Sequence, residues 1–192
     1  MERWKSLTAI VGAVVIMYSV SAGAADRRGM QFPLDPIALY GDEIRFDVLR
    51  NGKNAGWHRV RFVRNGADLS VSSTFVLQLD VLFLNVFRYR YDSEAIWRKG
   101  ELERLSVRVD DDGTPFSMEA VRKGPRITIT NGQEAFSVDA PLFPTNHWNA
   151  GVLSETRVLN TLTGRVNRVA IRPVTRETVT TERGDISATR YA

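Results

Sequence analysis

Residues 86–98 read Val-Phe-Arg-Tyr-Arg-Tyr-Asp-Ser-Glu-Ala-Ile-Trp-Arg, and their alternation decides the fold. Side chains of an extended strand point to opposite faces in turn, so every second residue shares a face. One face carries Phe87, Tyr89, Tyr91, Ala95 and Trp97. The other face is mostly charged, with Arg88, Arg90, Asp92, Glu94 and Arg98. This period of two predicts a strand with one buried aromatic face and one face in water.

The same period recurs on both sides of this stretch. Apolar residues alternate within positions 44–48, 60–62, 69–83, 105–109, 116–120, 127–129 and 136–138. Positions 69–83 predict one long strand, or two strands joined at a bend. Asn-Gly, Lys-Gly and Asp-Gly pairs between the strands are typical of hairpin turns. The chain is therefore predicted to be mainly all-β, as a curved antiparallel meander or half-open barrel that protects its edges by curling.

The alternation stops between residues 141 and 164. Residues 150–160 predict one short amphipathic helix, with Val152 and Leu159 roughly on the same side. Alternation then resumes at Val169 and Ile171. Residues 185–192 end in mid-strand, so we expect either an edge strand there or a C-terminus that is incomplete.

The N-terminus has the pattern of an export signal. A charged start precedes an apolar run of about 14 residues, from Leu7 to Val20, which is shorter than the roughly 20 residues that a membrane-spanning helix needs. Ala22 and Ala24 form an A-x-A pattern, so we expect cleavage after Ala24, with Ala25 as the second choice. An uncleaved anchor that leaves the domain outside the membrane is the alternative.

These signals give an expected organisation of the chain. Residues 1–24 are predicted to be a signal peptide, residues 25–40 a lead-in, and residues 41–192 a single antiparallel β domain in the periplasm. After cleavage the domain has no stable membrane anchor. The chain has no cysteine, so neither disulfides nor thiolate-bound metals stabilise it outside the cytoplasm.

The charge balance argues against nucleic-acid binding. The chain has 26 basic and 22 acidic residues, for a net charge of +4. Most basic side chains stand singly within alternating strands. A groove that follows phosphates needs them clustered.

Three groups of residues carry a resemblance to a known family. They are residues 46–53 with 56–59, residues 86–97 with 110–113, and residues 144–149 with 159–164. Together they resemble a family of exported bacterial proteins defined as a domain of unknown function, the DUF6134 type. The resemblance implies an exported, predominantly antiparallel β domain and supplies no activity. It also implies a further hairpin after Tyr191, so this chain looks shortened.

A more distant similarity concerns the fold alone. A meander with one helical insertion is similar to periplasmic half-barrel proteins that hold lipid acyl chains.

Both histidines are candidate site residues: His58 as a general base or metal ligand, and His147 as a binding residue. Alternation puts His58 on the buried face with Val60 and Phe62. No second histidine is close in sequence, so a hydrogen-bonded structural role is favoured over a metal site, which needs several ligands. His147 lies in a proline-bounded loop, where binding groups concentrate. Anchoring of that loop by Trp148 is the competing interpretation.

The other candidate binding surface is the aromatic row Phe87, Tyr89, Tyr91 and Trp97. These residues would line an apolar pocket with the phenols facing the polar end of a ligand. As an ordinary core face the same row needs no ligand, and this interpretation is favoured. The chain has no G-x-S-x-G, no H-E-x-x-H and no glycine-rich phosphate loop. We therefore expect no catalytic residue, no metal site and no cofactor.

Three functions remain after these exclusions. The leading hypothesis is a non-catalytic binding or carrier module for an apolar or lipid-like ligand, sheltered under residues 141–164. Its candidate ligand-binding residues are Tyr89, Tyr91, Trp97, His147, Trp148 and His58. The second is a structural or interaction protein whose last edge strand pairs with a protein partner. The third and weakest is a hydrolase that uses His147.

Overall fold

The structure is a computed structural model that describes residues 35–81, 84–132, 134–145, 148–181 and 184–192. The predicted signal peptide, residues 1–24, lies outside this described part. No helix in the described residues is long and apolar enough to cross a membrane.

The first eight strands form one antiparallel sheet in which every strand pairs with the next along the chain. Its strands are β1 Glu43–Arg50, β2 Lys53–Asn65, β3 Asp68–Val81, β4 Leu84–Arg98, β5 Glu101–Asp111, β6 Thr114–Lys123, β7 Arg126–Asn131 and β8 Glu134–Asp139. The first and last of these strands do not pair with each other, so the sheet is an open meander and not a closed barrel. The predicted all-β meander is confirmed.

Tight turns connect the strands. Asn51-Gly52, Lys99-Gly100 and Asp112-Gly113 each have two positive φ angles, the combination found in type I′ hairpin turns. The Asp110 carboxylate accepts a hydrogen bond from the Gly113 N–H at 2.7 Å and so closes the turn between β5 and β6. β3 is one continuous strand over Asp68–Val81, so the described part of residues 69–83 forms the single long strand and not two strands joined at a bend.

A short helix, α1 Pro36–Tyr40, precedes the sheet and was not predicted. The Asp35 side chain caps it by accepting from the Ile37 N–H at 3.1 Å, and Pro36 stands in its first turn. Both features are signals of a helix start. Ile37 and Tyr40 pack against the core of the sheet.

Residues 141–168 cover part of the sheet. β9 Phe143–Pro144 pairs in parallel with β10 Arg157–Asn160, which pairs in antiparallel with β11 Arg165–Arg168. The helix expected over residues 150–160 is shorter than predicted, a 3-10 helix over Ala150–Ser154 that gives way to β10. β10 is the middle strand of its sheet and buries both Val158 and Leu159. A strand buried on both faces lacks alternation, so its sequence can be taken for a helix.

The last two strands form a separate hairpin. β12 Pro173–Thr181 and β13 Gly184–Tyr191 pair with each other in antiparallel and with no other described strand. In the described structure β13 is therefore an edge strand.

One face of the eight-stranded sheet carries the hydrophobic core, and we call it the inner face. Its buried side chains are Val60, Phe62, Leu69, Val71, Ala95, Trp97, Leu102, Leu105, Val107, Val109, Met118, Ala120, Ile127 and Ile129. Residues 141–168, which we call the covering segment, pack on them through Leu142, Phe143, Trp148 and Leu159. The core is therefore a sheet face closed by one irregular segment and α1.

Candidate functional site

The inner face divides into two halves. The covered half comprises the positions that pack against residues 142–166 and α1, with Phe62, Ala95 and Leu105 in one cross-strand row. The next row, with Val60, Ser73, Ser93 and Val107, forms the boundary, and the open half comprises the two rows of the same strands beyond it. By strand register these rows are Phe46, His58, Phe75, Tyr91, Val109 and Phe116, then Val48, Gly56, Leu77, Tyr89, Asp111 and Thr114.

Aromatic rings run across the open half from the edge of the sheet. The ring centroids of Phe46 and His58 are 5.9 Å apart, as are those of His58 and Phe75 and those of Phe75 and Tyr89. Separations of this size are typical of stacked and edge-to-face aromatic pairs. Phe46 is still 46% exposed, and Phe75 and Tyr89 are only half-buried. The row is thus a continuous apolar surface that the covering segment leaves partly in contact with water.

His58 stands within this row and is hydrogen-bonded. Its Nε2 atom lies 2.9 Å from the Ser73 hydroxyl oxygen, with the donor set by the imidazole tautomer. The ring also packs between Phe46 and Phe75. This geometry fits the structural role that the sequence favours for His58. Within the described residues no group of three His, Cys, Asp or Glu side chains is arranged to hold a metal ion.

A band of hydroxyl groups lies at the boundary between the two halves. Burial raises the pKa of Tyr91, while hydrogen bonds with Ser93 and Thr161 act in the opposite direction. Thr161 is only 4% exposed, and its hydroxyl lies 3.4 Å from that of Thr145. Ser73 faces Ser93 across β3 and β4 at the same level. We call Ser73, Ser93, Thr145 and Thr161 the hydroxyl belt.

Tyr89 lies one row further into the open half. Its pKa is raised to about 12, chiefly by burial and then by the negative charge of Asp111 and the neighbouring Tyr91. Asp111 is opposite Tyr89 in the register of β4 and β5 and is itself exposed. A phenol with so high a pKa remains protonated at neutral pH and can donate a hydrogen bond.

The two tryptophans among the predicted site residues lie in the covered half. Trp97 is 2% exposed, and its ring centroid is 5.3 Å from that of Trp148 and 5.6 Å from that of Phe143. Trp148 also packs edge-to-face on Phe62, and its carbonyl accepts from the Tyr40 hydroxyl at 3.4 Å. The Trp97 indole N–H is buried with no hydrogen-bond partner among the described residues. Both rings therefore fill the core, while Tyr89, Tyr91 and His58 lie together in or beside the open half.

His147 lies outside the described residues, so its predicted roles in ligand binding and in a hydrolase stay predictions. Sequence reasoning did not select Thr145, Thr161 or Asp111. The threonines carry no periodic signal, and the sequence around Asp111 is typical of a hairpin turn. The strand register places Asp111 opposite Tyr89, whereas tertiary packing of the segment after β8 brings Thr161 to Tyr91.

A concavity lies beside β4, β5 and β6 and is lined mainly by outer-face residues. It has a volume of about 520 Å³ and is lined by Arg90, Asp92, Arg108, Val109, Asp110, Pro115, Phe116 and Ser117. Asp92 accepts from the Arg90 guanidinium at 2.6 and 3.0 Å and from the Thr74 hydroxyl at 2.9 Å. These neighbours already bind the Asp92 oxygens. This concavity is therefore a weaker candidate ligand site than the open half.

Comparison with known proteins gives a family and no activity. No curated protein and no solved structure matches the chain. The model of a family described as a domain of unknown function, DUF6134, matches residues 46–192. This match spans most of the chain and includes the sheet, the covering segment and the final hairpin. It confirms the resemblance carried by the three groups of residues, and the protein belongs to the DUF6134 family.

Proposed function

We propose that this protein is a non-catalytic binding or carrier module for an apolar, lipid-like ligand, which lies along the open half. The observation that carries the proposal is the aromatic row from Phe46 through His58 and Phe75 to Tyr89. A contiguous apolar surface that stays partly exposed is typical of a binding site in a soluble domain. On the sequence of residues 1–24 we also propose that the module works in the periplasm.

The open half has groups that suit both the apolar chain and the polar end of such a ligand. The aromatic row offers rings for van der Waals contact with a chain, since burial of apolar area stabilises a complex by about 25 cal/mol per Å². The Tyr89 phenol offers a hydrogen bond for one polar group. Ligand sites of this kind are mostly apolar, with a few placed polar groups that fix orientation.

A neutral apolar fluorophore tests the proposal directly. N-phenyl-1-naphthylamine should give a saturable fluorescence increase with the purified protein. Phe75→Ser should weaken its binding by about tenfold or more, because a lost phenyl contact is worth roughly 1.5–3 kcal/mol. Phe46→Ser should act in the same direction with less effect on folding, since Phe46 is largely exposed.

Val76→Ser is the matched control. Val76 follows Phe75 in β3 and, by alternation, points to the outer face. Probe binding by this variant should equal that of the wild type, with circular dichroism checking that all variants fold. Absence of saturable binding to the wild type, or an equal loss in Val76→Ser, contradicts the proposal.

One observation favours a second function. β13 forms backbone hydrogen bonds with β12 alone among the described strands, so its other edge is available for strand addition. We propose as the alternative that this strand pairs with a second copy of the chain. Size-exclusion chromatography with light scattering should then show a dimer whose population rises with concentration, and a strict monomer would count against it.

A further inference from the structure

Charge is distributed unequally between the two faces of the sheet. No lysine or arginine occupies an inner-face position in the two rows of the open half, and Asp111 supplies their one carboxylate. The strand register puts the arginines of the neighbouring positions on the outer face: Arg45, Arg59, Arg88, Arg90 and Arg108. The open half is therefore locally acidic in a chain whose net charge is +4.

Asp111 lies at the end of the aromatic row. It is opposite Tyr89, whose ring contacts Phe75 with 5.9 Å between centroids. Asp111 makes no ion pair within the described residues. Its charge nevertheless reaches the Tyr89 phenol, since it helps to raise the pKa of that group.

The aromatic rings and the Asp111 carboxylate together favour a cationic head group of a ligand over an anionic one. Aromatic faces attract cations through the negative potential of the ring, and a nearby carboxylate adds to that attraction. An anionic head group would instead lose hydration beside Asp111 without a basic side chain to replace it. A fatty-acid carboxylate or a sulfate is thus poorly matched to the open half.

We propose that the ligand of the open half is an amphiphile with a cationic head, a protonated or quaternary amine. Its chain lies along the aromatic row from Phe46 to Tyr89, and its head lies between the Tyr89 ring and the Asp111 carboxylate. This inference rests on the proposed function and names the class of ligand for that site.

Three amphiphiles with the same alkyl chain test it: an alkyltrimethylammonium, an alkyl maltoside and an alkyl sulfate, each below its critical micelle concentration. Isothermal titration calorimetry should give about tenfold tighter binding of the ammonium than of the maltoside, as expected for roughly 1.4 kcal/mol of head-group attraction. The net positive charge of the chain favours anions in general, so a preference for the cation has to arise locally.

Asp111→Asn should abolish this preference by weakening ammonium binding about tenfold, to the level of the maltoside. Asp47→Asn is the matched control, because Asp47 is an exposed carboxylate in β1 on the outer face and its loss changes the net charge equally. Tyr89→Leu should weaken ammonium binding more than maltoside binding, because leucine keeps apolar area and loses the ring. Equal thermal unfolding curves would show that the variants are folded.

The outcomes separate the two proposals. If the maltoside binds but the sulfate binds as tightly as the ammonium, or if Asp111→Asn keeps the preference, the cationic head is wrong and the apolar site stands. If none of the three amphiphiles binds, both the site and the inference about its ligand are overturned.

Discussion

The covered and open halves of the inner face lie on the same strands and have similar apolar side chains, yet they differ in what lies above them. In the covered half Phe62 and Trp97 pack against Trp148 from the segment that follows β8. In the open half Phe46 and Phe75 have similar chemistry but keep contact with water. The hydroxyl belt marks the boundary, with Ser73 and Ser93 opposite each other in β3 and β4.

This difference separates the source of stability from the proposed site of binding. Buried apolar contact is what stabilises a domain without disulfides, so most of the folding free energy has to come from the covered half. The open half keeps an apolar surface at some cost in stability. That cost is what a bound ligand would relieve.

The largest expected effect comes from matched substitutions in the two halves. Phe62→Ala should lower the free energy of unfolding by about 3–5 kcal/mol, because Phe62 is 2% exposed and its removal leaves a cavity. Phe46→Ala should cost less than about 1 kcal/mol, because much of that ring already contacts water. Urea denaturation of both variants measures the difference. Similar losses in the two variants would show that the open half is covered in solution.

The strands of this fold were predictable because most of them are half-buried. A period of two in β1–β8 followed directly from one face in the core and one in water, as in Phe87, Tyr89 and Tyr91 against Arg88 and Arg90. β10 does not show this period of two, because both of its faces are buried. α1 was missed although Asp35 and Pro36 signal its start, because a five-residue helix has too few turns to show a period.

The candidate site was predictable only in part. Tyr89, Tyr91 and His58 were selected from their strand positions. The sequence did not predict how much of the inner face the covering segment would cover. Phe46 and Phe62 are the same residue type on the same face, and only tertiary contacts distinguish them. Trp97 was grouped with the tyrosines for the same reason. Thr161 reaches Tyr91 from far along the chain, which no local pattern encodes.

Gly56→Ala should have the next largest effect on stability, and it tests whether the close approach of β2 and β3 holds the open half in place. Gly56 is an inner-face position of β2, and a Cβ atom there would lie 1.9 Å from the Val76 carbonyl oxygen. The backbone of β2 or β3 has to move, so we expect a loss of about 1–3 kcal/mol in unfolding free energy. Weaker probe binding should accompany it, because the aromatic row spans the same strands.

Gly66→Asn is the control for that substitution. Gly66 has φ +61°, a Cβ atom added there would meet no atom of the described residues within 4 Å, and asparagine tolerates this backbone conformation. Its stability and probe binding should stay close to those of the wild type. If Gly56→Ala is equally neutral, the close approach of β2 and β3 does not hold the open half in place.

Alkaline titration of Tyr89 tests how far the open half is shielded. The pKa of Tyr89 is raised from 10.0 to about 12, first by burial and then by Asp111. Its contribution to stability is therefore complete below about pH 10 and falls as the pH rises towards about 12, where the unfolded phenol ionises before the folded one. Tyr89→Phe should remove this part of the pH dependence in urea denaturation series. Asp111→Asn should lower the pKa of Tyr89, as followed by tyrosinate absorbance, and an unchanged pKa would show that Asp111 points away from the open half.

The smallest expected effect belongs to the outer face, where Arg98 follows the core residue Trp97 in β4. The Arg98 guanidinium donates to the Asp68 carboxylate at 2.7 and 2.9 Å, and these hydrogen bonds hold the pKa of Asp68 below its ordinary 3.8. The contribution of Asp68 is present above pH 3.8 and is lost as the pH falls through its lowered pKa. Arg98→Gln should raise the pKa of Asp68 towards 3.8 in an NMR titration and barely change stability at neutral pH, because the pair is exposed to solvent. Trp97→Ala should unfold the domain far more readily, because Trp97 packs against the covering segment and Arg98 does not. If the two variants were equally stable, the covering segment would not be holding the inner face closed.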